Sequence, residues 1–158
     1  MNDFVWRVSI AEVSGAGPFS DFRNVDRILS VLDGALALTI ADGPERRLTP
    51  SDPPFPFPAD VSTYGAPIDG DVRDLNVMVR RDACRATVER LPVGAAHLGT
   101  DSETFLMIIA TEDATVTHGA DSETLRPYEA LLFDAPIPRS ITVRSAAASF
   151  AIRLTLVG

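Results

Sequence analysis

Residues 72–82 read VRDLNVMVRRD, and on an extended chain Asp74, Asn76, Met78 and Arg80 share one face while Leu75, Val77 and Val79 share the other. An acid, an amide and a guanidinium in one row can hold a small polar molecule. Arginine grips a carboxylate through two parallel hydrogen bonds, and short polar side chains fix its orientation. Near the N-terminus Arg7 and Ser9 alternate with Trp6, Val8 and Ile10, and Arg27 opens the apolar run VDRILSVLDG. The candidate ligand contacts are therefore Arg7, Ser9, Arg27, Asn76 and Arg80, with Asp74 orienting an arginine. Alternation alone favours a different reading, in which the polar rows face water across an antiparallel sheet. Solvated faces, however, tend to use Lys, Glu and Thr, whereas short hydrogen-bonding groups mixed with a thioether are typical of ligand cavities.

Other chemistries are poorly served. Only His97 and His118 are present, in different segments, so no metal-ligating cluster is expected. Both are read as solvated, His118 at a strand end and His97 in a loop. Cys84 lies between Arg81 and Arg85, which favour a thiolate, yet no histidine is placed beside it and a structural role is simpler. No serine sits in a Gly-x-Ser-x-Gly turn, and GAG (15–17) precedes a proline rather than a helix, so neither a nucleophile elbow nor a phosphate loop is legible. The pairs in DGPE (42–45) and DGDVRD (69–74) are explained by turn chemistry.

Composition narrows the class further. All 14 basic residues are arginine, so there is no lysine for Schiff-base or pyridoxal phosphate chemistry, and no cofactor is expected. A formal charge of −8 with scattered arginines argues against nucleic acid. No apolar run is long enough to span a membrane as a helix, MNDFVWRVSI does not read as a secretory leader, and one cysteine fits a reducing cytoplasm.

The elements that must position these residues are short, β-branched and punctuated by Gly, Pro, Asp and Asn. Strands are expected at 4–13, 28–33, 35–40, 74–80, 85–91, 103–110, 114–118, 129–134, 140–144 and 149–157. The segment TPSDPPFPFPAD (49–60) must lie at an edge or outside the ladders, because its prolines lack donors. A repeat recurs at an offset of 77 residues, with the copy from Arg27 matching the copy from Thr104. In it Leu48 meets Leu125, Pro50 meets Pro127 and Asp52 meets Glu129. An all-β antiparallel barrel or sandwich follows, built from two similar half-barrel lobes, 1–82 and 83–158, with a soft boundary.

The order of strand, Leu-Asp-Gly, strand, Asp-Gly, Leu-Thr-Pro-x-Asp and apolar strand resembles a cupin half-barrel. WRVSIAEV, GPFSDF, VDRILSVLDG and VRDLNVMVRR, in that order, resemble the HutD/Ves family, which has a bicupin fold and is associated with bacterial histidine utilisation. That family tends to carry a Pro-Trp-Lys-Asn-Gly-Gly-Gly-type segment ahead of the Trp-Arg-Val-Ser strand, which is not seen before Trp6. It also tends to have Pro-Gly where Arg23-Asn24 stands, a turn that Asn24 can preserve at positive φ. The FRNVDRIL stretch has no His-x-His pair of the kind found in metal-binding cupins. A cupin barrel has room for a small molecule, which brings the cavity reading of the 74–80 row level with the solvated one.

The resemblance implies a non-enzymatic binder or regulator holding a carboxylate metabolite such as N-formylglutamate or urocanate, in the cytoplasm, without nucleic acid, membrane or metal. Phe19 and Ser20 lie in a loop that could cover the barrel mouth; Phe55 and Phe57 would seal its edge. An alternative is a metal-independent isomerase or lyase pairing Asp74 with His97 or His118. A homodimer buried through apolar strands is a third possibility.

Overall fold

The computed structural model describes residues 3–158, and every regular element among them is a β-strand. In chain order these are β1 (Trp6–Val13), β2 (Gly17–Pro18), β3 (Val25–Ile40), β4 (Arg46–Leu48), β5 (Phe55–Pro58), β6 (Thr63–Arg80) and β7 (Cys84–Leu91). Then follow β8 (Gly94–Gly99), β9 (Phe105–Ala110), β10 (Ala114–His118), β11 (Asp121–Leu125), β12 (Ala130–Asp134), β13 (Ser140–Ser145) and β14 (Ser149–Leu156). The chain divides into two compact units, Met1–Arg85 and Ala86–Gly158. No helix among the described residues is long and apolar enough to cross a membrane.

The first unit is one antiparallel sheet in the order β1-β6-β3-β4, with β2 added to β6 and β5 to β3. Its length comes from β3 and β6, which pair from Val25↔Arg80 to Ile40↔Thr63. Asp33-Gly34, expected to be a tight turn between two strands, is instead an irregularity inside the single strand β3. The register shifts on both sides of Asp33. Gly34 takes a φ of +81°, Asp33 Oδ1 accepts its N–H at 3.0 Å, and Asp69 and Gly70 opposite are also left-handed. Aspartate-glycine satisfies a reversing turn and a bulge equally well; the long partner strand selects the bulge.

Stretches passed over in the sequence are strands rich in punctuating or polar residues. TYGAPIDGD begins β6, and its Pro67 is tolerated because β1 and β2 pair with β6 only at 72–79 and 64–65, leaving that edge open there. GAAHLG forms β8, so His97 lies in a strand rather than a loop, and the polar DSETL forms the edge strand β11. The proline-rich 55–58 segment pairs on one side only, with β3, as an edge strand.

The second unit holds two four-stranded antiparallel sheets, β11-β10-β13-β8 and β12-β9-β14-β7. Its core packs Leu106, Ile108, Phe133, Ile141, Val143 and Ala151. The 77-residue repeat is visible in local geometry. Thr49 N–H donates to Asp52 Oδ2 at 2.7 Å, and Arg126 N–H donates to Glu129 Oε2 at 2.8 Å. The register repeats as well, Val31↔Asp74 in the first unit answering to Ile108↔Ala151 in the second. The copies differ where β3 runs through its bulge, since the second copy breaks between β9 and β10 at Thr111-Glu112-Asp113.

Candidate functional site

Three neighbouring strands of the first unit set the polar rows side by side. Arg7 of β1 lies opposite Met78 of β6, which lies opposite Arg27 of β3. Ser9, Asn76 and Leu29 form the next row, and Ala11, Asp74 and Val31 the one after. This face and residues of the segment 14–22 together line a cavity of about 400 Å³. Beside the polar groups, Leu29, Val31, Leu36, Leu38 and Phe57 form a buried hydrocarbon cluster in the same unit.

Asp74 and Asn76 are each only 1% exposed, so their polar atoms must find partners within the protein. They find one another: Asn76 Nδ2 donates to Asp74 Oδ1 at 2.7 Å. Arg27 then donates to the amide oxygen twice, Nε at 2.9 Å and Nη2 at 2.6 Å. A neutral amide thus links a guanidinium to a carboxyl group without direct ion pairing. Burial outweighs the stabilising influences of Asn76 and Arg27 and holds the Asp74 carboxyl above its ordinary range. Burial likewise lowers the Arg27 guanidinium from its usual value, Asp74 opposing and Arg7 adding to the shift.

The Arg27 guanidinium lies over aromatic rings, its Cζ 4.6 Å from the Phe19 centroid and 5.8 Å from that of Phe57. Its Nη1 meets no acceptor among the described residues. Arg7, exposed at the cavity edge, has no hydrogen-bond or ion-pair partner among the described residues. The arrangement therefore offers an anion two guanidiniums with unused donors and a serine hydroxyl, with the buried carboxyl–amide pair holding one of the guanidiniums from behind.

Of the residues singled out in the sequence, Arg7, Ser9, Arg27, Asp74 and Asn76 line this cavity together. Arg80 does not. It ends β6 beyond the lining residues, and its Nε donates to Asp82 Oδ1 at 2.9 Å in the following turn. Asp74 orients Arg27 only through Asn76. Phe19 and Ser20 both line the cavity, and Phe19 also supplies the arginine's platform. That pairing had no signal in the sequence, since nothing local connects a loop phenylalanine to an arginine eight residues on.

The cavity lining contains no histidine. His97 Nδ1 is 3.0 Å from Thr142 Oγ1, and the His118 ring packs edge-on against Phe133 at 5.0 Å. Cys84 is buried, and Arg81 beside it is engaged by Asp26 and Asp60. Among the described residues no group of three or more His, Cys, Asp or Glu side chains is placed to hold a metal ion.

Comparison with known proteins gives this geometry a family. A protein Ves from Cronobacter sakazakii is 37% identical over 87 residues, 54% of this chain and 48% of its own length. The chain thus matches about half the length of that relative. The "Uncharacterized 21.2 kDa protein in hutC 3'region" of Pseudomonas putida is 30% identical over 133 residues, 83% of this chain and 69% of that protein. Among solved structures, HutD from Pseudomonas fluorescens SBW25 (formate condition) superposes with a TM-score of 0.86 at 25% identity, covering 98% of this chain and 81% of the other. A cupin barrel-domain protein from Leptotrichia buccalis, at 9% identity and a TM-score of 0.61 over 100% of this chain and 86% of its own, shares the fold alone. The HutD family model matches residues 1–151, and the chain belongs to the HutD family.

Proposed function

We propose that this protein binds a small carboxylate metabolite in the first unit's cavity and acts, without catalysis of its own, in regulating histidine utilisation in the cytoplasm. One observation carries the reading: the buried Arg27–Asn76–Asp74 chain in the cavity lining has no counterpart in the repeat. At the 77-residue offset, Arg27, Asp74 and Asn76 become Thr104, Ala151 and Arg153. Ala151 is fully packed in apolar core, and Arg153 instead pairs with Glu103. The same fold unit therefore forms without the polar chain, so folding does not explain its presence in the first copy. A buried carboxyl held above its normal range is a strain that a binding role accounts for.

Ligand charge follows from the unused guanidinium donors, and a charge-assisted bond in such a site contributes about 1.5–3 kcal/mol. The family points to histidine-degradation acids, N-formylglutamate and urocanate first. Isothermal calorimetry against those two, histidine and glutamate should give saturable heat for at least one carboxylate; silence across the series would remove the proposal. The isomerase or lyase reading needs a partner for Asp74, and no histidine in the cavity lining supplies one.

A further inference from the structure

We infer that Gly65 is a positioning residue of the cavity: the space left by its missing side chain seats Phe19, and Phe19 sets the plane of the Arg27 guanidinium. This rests on the carboxylate-binding reading and adds a determinant outside the polar rows. Gly65 lies buried within β6, paired with Leu38 on one side and Gly17 on the other. Its φ is not left-handed, so no turn or bulge demands a glycine there. A glycine inside a strand weakens it unless something approaches closely. What approaches is Phe19. A β-carbon on residue 65 would overlap the ring at Cε1, with Cζ at 3.2 Å and Cδ1 at 3.3 Å.

The backbone that carries the ring is fixed, so an overlap at residue 65 must be relieved by the ring itself. Phe19 N–H donates to Thr63 O at 2.8 Å, and Pro18 is bridged to Tyr64. Phe57 stands 6.5 Å away, centroid to centroid, and the Arg27 Cζ sits 4.6 Å from the Phe19 centroid. A methyl at position 65 would therefore push the ring out of register with the guanidinium, and Arg27 would lose a face that holds it rigid. The competing explanation is that an aromatic merely covers a strand glycine and stabilises the sheet. The two differ in what happens to Arg27.

The deciding measurement is the chemical shift of the Arg27 side-chain protons in ligand-free protein, which the Phe19 ring current moves upfield. Gly65→Ala and Phe19→Ala should each abolish that shift. Each should also weaken binding of N-formylglutamate about two- to thirtyfold, the range of a cation–π contact. Gly65→Ala should have no further effect in the Phe19→Ala background. A G65A protein with a lower Tm but unchanged Arg27 shifts and affinity would overturn the inference and leave the glycine to the sheet alone. Should G65A not fold while the double variant does, the overlap lies at Phe19, and F19A alone then reads the arginine's dependence on the ring. Absence of binding by the wild-type protein would defeat the carboxylate reading by itself, and the proton shifts would still decide the role of Gly65.

Discussion

At the scale of single residues, Arg27 and Asp74 do different work through one amide. Arg27 meets Asn76 with two of its donors and leaves the Nη1 donors without an acceptor among the described residues. Replacing it with lysine keeps a charge but loses the planar fork and its fit over Phe19. Arg27→Lys should weaken carboxylate binding about tenfold or more, as calorimetry will read, consistent with a charged hydrogen bond worth about 1.5–3 kcal/mol. Asp74 makes a pH-dependent contribution of the opposite sign to the usual aspartate. Because its carboxyl is held above the ordinary range, the native state keeps a proton that the unfolded chain has released. Its contribution is neutral below the unfolded value of about 3.9, and stability falls as pH rises from there through the folded value. Urea unfolding of wild type and Asp74→Asn across that window should show the wild type losing stability relative to the variant as pH rises. The row Asp74-x-Asn76 was legible in the sequence because strand alternation fixes which side chains share a face. The outward turn of Arg80 was not, because it depends on where β6 ends relative to the segment 14–22 and on Asp82 being near.

At the scale of elements, the length of β3 and β6 is what brings Arg27 and Asp74 into one site. Both strands bend at a matched irregularity, Gly34 against Asp69-Gly70. Gly34 is held there twice over, by its φ of +81° and by the approach of the Asp71 carbonyl oxygen to 2.5 Å from where a β-carbon would stand. Gly34→Ala should therefore cost about 1–3 kcal/mol or more, seen as a lower urea midpoint. Sequence patterning found the apolar halves of β3 at 28–33 and 35–40 but separated them, since Leu-Asp-Gly signals reversal as readily as a bulge. It also missed 63–73 of β6, where glycines and Pro67 mask a strand whose hydrogen bonds are supplied by β3 on one side alone. The proline-rich edge at 55–58 was placed correctly by its lack of donors.

At the scale of the whole molecule, a duplicated unit has kept its strand register and diverged in its interior. The first copy buries a carboxyl and an amide at positions where the second has Ala151, packed in hydrocarbon, and Arg153, paired with Glu103. The second copy thus shows what the fold requires when the polar chain is absent. Asp74→Ala, which imitates it, leaves the buried Asn76 amide without its acceptor and should cost about 1–3 kcal/mol while abolishing or weakening ligand binding. The reciprocal Ala151→Asp buries a carboxyl with no amide to receive it and should cost about 3–5 kcal/mol. Equilibrium unfolding of the two variants gives the asymmetry directly.

Alternation of apolar and polar residues, turn chemistry and the 77-residue recurrence determined from sequence alone that the chain is all-β, duplicated, and carries Asp74 and Asn76 on one face with Arg7 and Ser9 at the same period. Those are local properties, set by the two-residue repeat of an extended backbone and by which residues tolerate a turn. Whether that face is simply wet or lines a cavity is not local. The tertiary structure decided it by bringing residues 14–22 beside that face, fastening Phe19 beside Gly65 and under Arg27, and ending β6 so that Arg80 falls outside. A strand presents two faces whatever its sequence, and only contacts between residues far apart in the chain choose the one that lines a cavity.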